Sequence, residues 1–418
     1  MDTGAEHTYA YSVNVNEFGA VGDGSTDDAE AIQRAFDHVL QGGVVFFPIG
    51  TYAVSRSILI RTDSIIIRGE GVNSHIIYSY EQKEEETDAL TSLFVFRDGI
   101  RNITISDMKL EYVGSFFPEA GQSYRGKVSA LRFWQCFEVQ VRNMEICGFN
   151  ASAITVLTGN PEKYAQRLKV TQCYLHHNRV AGVLFGYVDG VRIIDNDLEY
   201  HGSVLDGGTG YGCAGASNEL PVHIQIIGNR ANYNYRKGLD LHSGIGAVIA
   251  DNICHGNRLY GIYTEGRTTG NVIIKGNIIS GMRKERLDVP EPYTWITGID
   301  FGPYSESLVP EEYHNYIIEG NQIIDFGLEH GQAYAINCYF NMATGMVKIH
   351  NNIISAGRIT NMIRMYSEVK AFSGRKVQVD ISNNQATIAN CTDSLYYLPF
   401  CDQLHMLHNQ VNLQGDLS

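Results

Sequence analysis

Asp240 and His242 stand at i and i+2 in GLDLHSG (238–244), and Tyr263 and Glu265 share that spacing in GIYTEGR (261–267). Asp300 follows in GIDFGP (298–303), and Asn337 and Tyr339 follow in YAINCYF (334–340). Residues i and i+2 of a β-strand face the same way. Each segment would therefore present a carboxylate, imidazole, phenol or amide in pairs. An imidazole steadied by a carboxylate can take up a proton, and a phenol can return one. Two carboxylates set apart can instead act as acid and base in glycoside hydrolysis. Arg236, Lys237 and Arg267 flank these segments and could neutralise a negative substrate group, while Trp295, with Tyr293 and Tyr304, offers ring surface from nearby loops.

A repeat must hold these side chains in place. β-branched residues run repeatedly into Gly-Asn or Asn-Asn, at Asn196, Asn229, Asn252, Asn277, Asn321, Asn352 and Asn384, with intervals of 33, 23, 25, 44, 31 and 32 residues. No unit has room for a helix, so the chain reads as a solenoid of strands whose function lies along its surface. The segments after each Asn turn stack by their own landmarks, beginning with GVLFGY (182–187) and YGCAGA (211–216) and ending with MIRMYS (362–367). Leu239, Ile262, Ile299 and Ile336 then point inward. Asp240, Tyr263, Asp300 and Asn337 share an outward line that Arg364 extends, and His242, Glu265, Gly302 and Tyr339 form a second line. Leu184 and Ala214 precede the polar line, with Val183 and Cys213 inside, so the chemistry is confined to the middle coils. Polar decoration and Asn ladders are ordinary on any solenoid. Acids stacked on successive rungs are different, because they cost energy unless used or protonated.

Insertions near 202–220 and 282–314 surround this patch and would wall a groove suited to an extended polymer. The run YEQKEEETD (80–88) reads as a solvated loop. Near the start, Val13 to Phe18 is expected as a strand and Gly22-Asp23-Gly24 as a turn. Thr26 or Asp27 should cap a helix from about Asp28 to Leu40, and Val44 to Phe47 should be a buried strand. Such a helix would cover the open end of the core. Asp23, Asp27 and Asp28 could suggest a metal or catalytic cluster, but turn and cap chemistry explains them more simply.

The stretch Asn16-Glu17-Phe18-Gly19-Ala20, then Gly22-Asp23-Gly24, Thr26-Asp27-Asp28, Ala31-Ile32 and GGVVFFPIGTY (42–52), resembles the opening of the pectate-lyase-like superfamily. That superfamily takes in polygalacturonase-related enzymes, alginate epimerases and phage tailspikes. The resemblance implies an all-β fold: a single-stranded, right-handed parallel β-helix with three sheets per turn and an N-terminal capping helix. The expected organisation is a strand-helix cap over 1–52, the β-helix over 53–398, and a C-terminal tail or cap over 399–418. GLDLHSG is also similar to the Asp-Pro-His signature of alginate C5-epimerases, which would make Asp240 and His242 catalytic. Leu241 replaces the proline here, and Lys237 stands where that family has its catalytic tyrosine, so Tyr263 or Tyr235 would have to substitute.

Two chemistries fit. In the first, a lyase or C5-epimerase abstracts a proton beside a uronate carboxylate. His242 is the base, oriented by Asp240 or Glu265, Tyr263 is the acid, and Arg236, Lys237 or Arg267 neutralises the carboxylate. In the second, Asp240 and Asp300 lie two rungs apart, roughly 9–10 Å at their backbones, and form an inverting pair. Glu265 beside Asp240 would give a closer pair. The adjacent double-Asp and the Gly-His-Gly of polygalacturonases are missing from these coils. A non-catalytic glycan-binding or tailspike-type protein is a third class, and would instead show an aromatic groove with its acids bonded into the framework. Trp295, Asn337 and Tyr339 are the expected sugar contacts alongside Arg236, Lys237 and Arg267.

The formal net charge of -14, from 46 acids against 32 bases, argues against a nucleic-acid partner and mildly against a polyanionic one, although a groove can differ in sign from the whole. No apolar run is long enough to span a membrane. Residues 1–12 show no export signal, and extracellular, virion-associated and cytoplasmic placements all stay open. Eight scattered cysteines without a CxxC pair read as buried thiols rather than a disulfide framework. No cofactor is indicated, although Asp240, Glu265 and Asp300 could offer oxygen ligands to Ca2+ without a dedicated calcium loop. The partner is expected to be a polysaccharide or oligosaccharide. Side-by-side packing of such solenoids makes a homotrimer an expectation with no sequence marker of its own.

Overall fold

A short strand with one apolar side can bury it only by stacking on copies of itself. In the computed structural model the chain does this as a right-handed parallel β-helix, with parallel sheets of 19, 12 and 6 strands. The structure describes residues 11–82, 91–97, 99–114, 126–202, 209–266, 268–282, 295–303, 311–339, 341–342, 344–367, 376–399, 401 and 403–414. The loop 80–88 lies largely outside these residues, as do most of the 282–314 insertion, the middle of the 202–220 insertion, Arg267, Tyr293 and Tyr304. Among the described residues, no helix is long and apolar enough to cross a membrane.

The Asn repeat is a hydrogen-bonded spine. The backbone N–H and side-chain amide of Asn196 donate to Oδ1 of Asn229 at 3.0 and 2.9 Å, and the pattern passes through Asn252, Asn277, Asn321, Asn352 and Asn384 to Asn409. Each amide also donates to a backbone carbonyl, so the buried turns are satisfied without water. At another corner Asn150, Asn178, His201, Asn234 and Asn257 accept backbone N–H groups of the preceding coil in a second, looser ladder. Its mixed membership hid it from the repeat pattern. Leu239, Ile262, Ile299 and Ile336 are fully buried in the continuous core.

At the N-terminal end the expected strand is shorter. Ser12–Asn14 pairs with Val44–Phe46, and Val15–Phe18 is a 3-10 turn closed by Gly19 at φ +96°. The helix runs Ala29–His38, with Ala31, Ile32, Ala35 and Phe36 buried. The Phe36 ring meets Phe94 at 5.7 Å, which closes the end of the core. Asp23 and Gly24 lie in a strand, Asp23–Asp27, rather than in a free turn, because that segment pairs with Gly50–Val54. Asp27 accepts from the Ala29 N–H at 3.1 Å, while Asp28 takes the N–H groups of Val21 and Gly22. Asp23 accepts from the N–H groups of Ser25 and Thr26, so all three acids are spent on local backbone. At the other end, Gln403–Leu407 and Gln410–Leu413 add a last, mostly exposed coil. All eight cysteines are free, six of them buried.

Candidate active site

The 12-stranded sheet carries the outward lines. Its register pairs Ala214 with Asp240, Asp240 with Tyr263, Tyr263 with Asp300, Asp300 with Asn337 and Asn337 with Arg364. Glu265 pairs with Gly302 in the second line. Strict alternation would turn Lys237 inward with Leu239, but a glycine intervenes. A Cβ at Gly238 would meet the Gly261 carbonyl at 2.5 Å, and Gly261 and Gly298 are equally tight against the next coil. The coils approach closely at these glycines, and the residues before them, Lys237, Tyr260 and Thr297, stand in register with one another and with Tyr211 and Tyr334, beside the polar line.

Lys237 is 1% exposed and sits at the centre of the cluster. Its Nζ lies 3.4 Å from Asp240 Oδ1, 3.3 Å from His242 Nε2 and 3.2 Å from the centroid of the Tyr263 ring. Asp240 is fully buried, and its Oδ2 lies 2.9 Å from His242 Nδ1. The imidazole itself keeps 31% side-chain exposure, so it is the member of the trio that solvent or a ligand can reach. Burial opposes the charge on Asp240, but His242 and Lys237 hold its carboxyl below the usual range. Burial brings the Lys237 ammonium down to about 8, offset in part by Asp240, while Arg236 nearby adds to the repulsion.

Glu265 and Asp300 behave in the opposite way. Burial, then the charge of Asp300, pushes Glu265 up to about 9. Burial raises Asp300 to about 7, against the hydrogen bond from Asn337 Nδ2 at 3.0 Å and the field of Lys237. The Tyr263 phenol stays well above its usual value because it is buried and faces Glu265. The site thus holds one ionised carboxylate beside an ammonium, and two carboxyls displaced toward the protonated form. Burial and charged neighbours displace adjacent acids in opposite directions.

Next to Asp300 opens a cleft of about 230 Å³ lined by Trp295, Asp300, Tyr334, Asn337, Tyr339 and Arg364, among others. The Trp295 indole donates to the Tyr260 hydroxyl at 2.9 Å. Arg364 lies between the rings of Tyr334 and Tyr366, at 4.6 and 4.4 Å, and donates to Asn337 Oδ1 at 3.2 Å. Tyr211, Tyr260, Tyr334 and Tyr366 were not singled out from sequence; their register with Lys237 and Arg364 is the signal that could have found them. Among the described residues, Asp240, Glu265 and Asp300 do not bring donor atoms together within 4.8 Å as a metal-ligating group would, and the Lys237 ammonium stands beside Asp240. A larger hollow of about 460 Å³, lined by Arg167, Lys169 and Arg192, lies on the 19-stranded sheet and shares no residue with this site.

Mannuronan C5-epimerase AlgE6 of Azotobacter vinelandii is 28% identical over 199 residues, 45% of this chain and 22% of that protein. This chain therefore spans about a fifth of that relative's length. The uncharacterized protein YclG of Bacillus subtilis (strain 168) is 22% identical over 437 residues, covering 97% of this chain and 69% of YclG. Among solved structures, the A-module of the Azotobacter vinelandii mannuronan C5-epimerase AlgE4 superposes with a TM-score of 0.57 at 15% identity, covering 96% of each chain, a likeness of fold. Residues 12–263, which include Lys237, Asp240, His242 and Tyr263, match a family model, and the chain belongs to that family, rhamnogalacturonase A/epimerase, pectate lyase-like.

Proposed function

We propose that this protein is a carbohydrate-active enzyme that abstracts the C5 proton of a uronic-acid residue in a polysaccharide, as a lyase or C5-epimerase. The observation that carries this reading is the buried Lys237–Asp240 pair set against the solvent-reaching imidazole of His242. Asp240 orients His242 through Nδ1 and leaves Nε2 as the proton acceptor. Lys237, beside that nitrogen, and Arg236 supply positive charge for the substrate carboxylate. When the C5–H bond breaks, the proton passes to His242 and the electron pair moves into the carboxylate. A protonated Glu265 can then donate a hydrogen bond to the developing charge, since a carboxyl kept neutral at neutral pH is a donor there. The neutral Tyr263 phenol is the acid. It either protonates the leaving O4 as the C4=C5 bond forms, or returns a proton to C5 from the opposite face. Trp295, Asn337 and Tyr339 bind the adjoining sugar in the cleft. The epimerase relatives favour this chemistry.

One observation favours a second reading. Glu265 and Asp300 are two buried carboxyls with raised and mutually dependent protonation on neighbouring rungs, as an acid/base pair for hydrolysis would be. Products separate the two. Polyuronates incubated with the protein should gain the ultraviolet absorbance of an unsaturated uronide, or should take up solvent deuterium at C5 without cleavage. New reducing ends with neither signal would overturn proton abstraction in favour of hydrolysis. His242→Ala should abolish turnover with the thermal melt unchanged, and undiminished turnover would remove His242 from the mechanism.

A further inference from the structure

The 19-stranded sheet carries a second cluster of chemistry-bearing side chains that the proposed reaction does not use. Glu145 and Cys147 end the strand Phe137–Cys147 on one face, and His176 ends Tyr174–His176 on the next rung, with Cys147 paired to His176. Oxygen, sulfur and nitrogen donor atoms of the three lie within 4.8 Å of one another. Glu145 Oε1 and His176 Nε2 are 3.6 Å apart, too far for a hydrogen bond. The separation suits a shared ion: two ligands bound tetrahedrally at ~2.0–2.1 Å lie about 3.4 Å apart.

His176 Nε2 is buried without a hydrogen-bond partner. The other nitrogen of that ring, Nδ1, lies 2.7 Å from His177 Nδ1. Metal-bound imidazoles show this division: one nitrogen free for the ion, the other held by an outer group. The Tyr174 ring stacks on His176 at 4.0 Å and fixes its plane. Cys147 is buried at 7% exposure and faces Glu111 on the preceding rung, which supplies a further carboxylate near the group. Lys109 balances the acids, with Nζ 3.1 Å from Glu145 Oε1 and 3.3 Å from Glu111 Oε2. His75 Nε2 completes the surround at 3.0 Å from Glu111 Oε2.

We propose that Glu145, Cys147 and His176 form a binding site for a zinc-type divalent ion that pins adjacent coils together, with Glu111 or water in the fourth position. A mixed thiolate, imidazole and carboxylate set suits such an ion and not Ca2+ or Mg2+, which take oxygen ligands. The ion binds as the Lys109 ammonium swings off Glu145 and the thiol gives up its proton to solvent. Lys109 is therefore a built-in competitor that weakens binding.

Titration of the chelator-stripped full chain with Co2+ and Zn2+ tests the site. One equivalent of Co2+ should bind with thiolate-to-metal charge-transfer absorption, and Zn2+ should displace it. Cys147→Ser should lose the absorption, Glu145→Gln and His176→Ala should weaken binding at least tenfold, and Lys109→Met should tighten it. No charge-transfer absorption at excess Co2+, or absorption that persists in Cys147→Ser, would overturn the assignment. If Cys147→Ser fails to fold, alkylation of the wild-type chain read by mass spectrometry decides between the outcomes. Zn2+ must protect Cys147, and equal labelling with and without Zn2+ refutes the site.

Discussion

Glu265→Gln should stabilise the fold at neutral pH. Glu265 is 8% exposed, and burial followed by the charge of Asp300 raises its carboxyl from 4.5 to about 9. Between those values the folded chain keeps a proton that the unfolded chain releases. The contribution is fully present below pH 4.5 and is lost as pH rises toward 9, by ~1.4 kcal/mol per unit. At pH 7 the unfolded chain has gained roughly 2.5 units of this drive, or about 3 kcal/mol against the fold. Glutamine fills the same volume and never ionises, so the slope vanishes with it. Asp300, raised from 3.8 to about 7 and dependent on Glu265, adds a second loss whose window shifts in the variant. Urea denaturation of both proteins at several pH values from about 4.5 to about 8 reads the difference. The curves should nearly coincide at about pH 4.5 and separate in favour of the variant by about 3 kcal/mol at pH 7. A variant less stable at pH 7, or a gap of the same size at every pH, would refute the reasoning.

Lys237→Met should cost ~3–5 kcal/mol in urea denaturation, because it leaves the buried Asp240 carboxylate without its ammonium partner. Turnover should be lost with it. Arg364→Met should raise KM on a uronate oligosaccharide about tenfold or more, since it removes the cation facing the cleft and the donor that fixes Asn337 against Asp300. The fold should persist, because the methionine stem still fills the space between Tyr334 and Tyr366. Asn252→Ala should destabilise by about 4 kcal/mol in the same urea assay, because four hydrogen bonds at a fully buried amide are lost or weakened together.

Register along the solenoid was legible in the chain because the landmarks are local. An Asn whose side chain must reach the next turn, and a Gly whose Cβ would strike the next coil, recur along the rungs and fix the phase of everything between them. Asp240, Tyr263, Asp300 and Asn337 could therefore be aligned without knowing the number of residues in each loop. Gly238 limits that alignment one residue earlier. The coils approach closely there, and Lys237, which simple alternation would turn inward, instead sits at the centre of the cluster. The clamp of Tyr334 and Tyr366 on Arg364 was equally hidden, since it joins residues from two rungs.

Depth was the other property the sequence withheld, and depth decides the chemistry. A line of acids on an exposed sheet face would all ionise at neutral pH and repel. Here burial pushes all three carboxyls up, and of the three only Asp240 is brought below the usual range, by His242 and Lys237. The difference between Asp240 and Asp300, chemically identical and two rungs apart, lies in their neighbours: an ammonium and an imidazole for one, a carboxamide for the other. One acid below its ordinary range and one above it stand two rungs apart, because the neighbours change from rung to rung while the backbone stays constant.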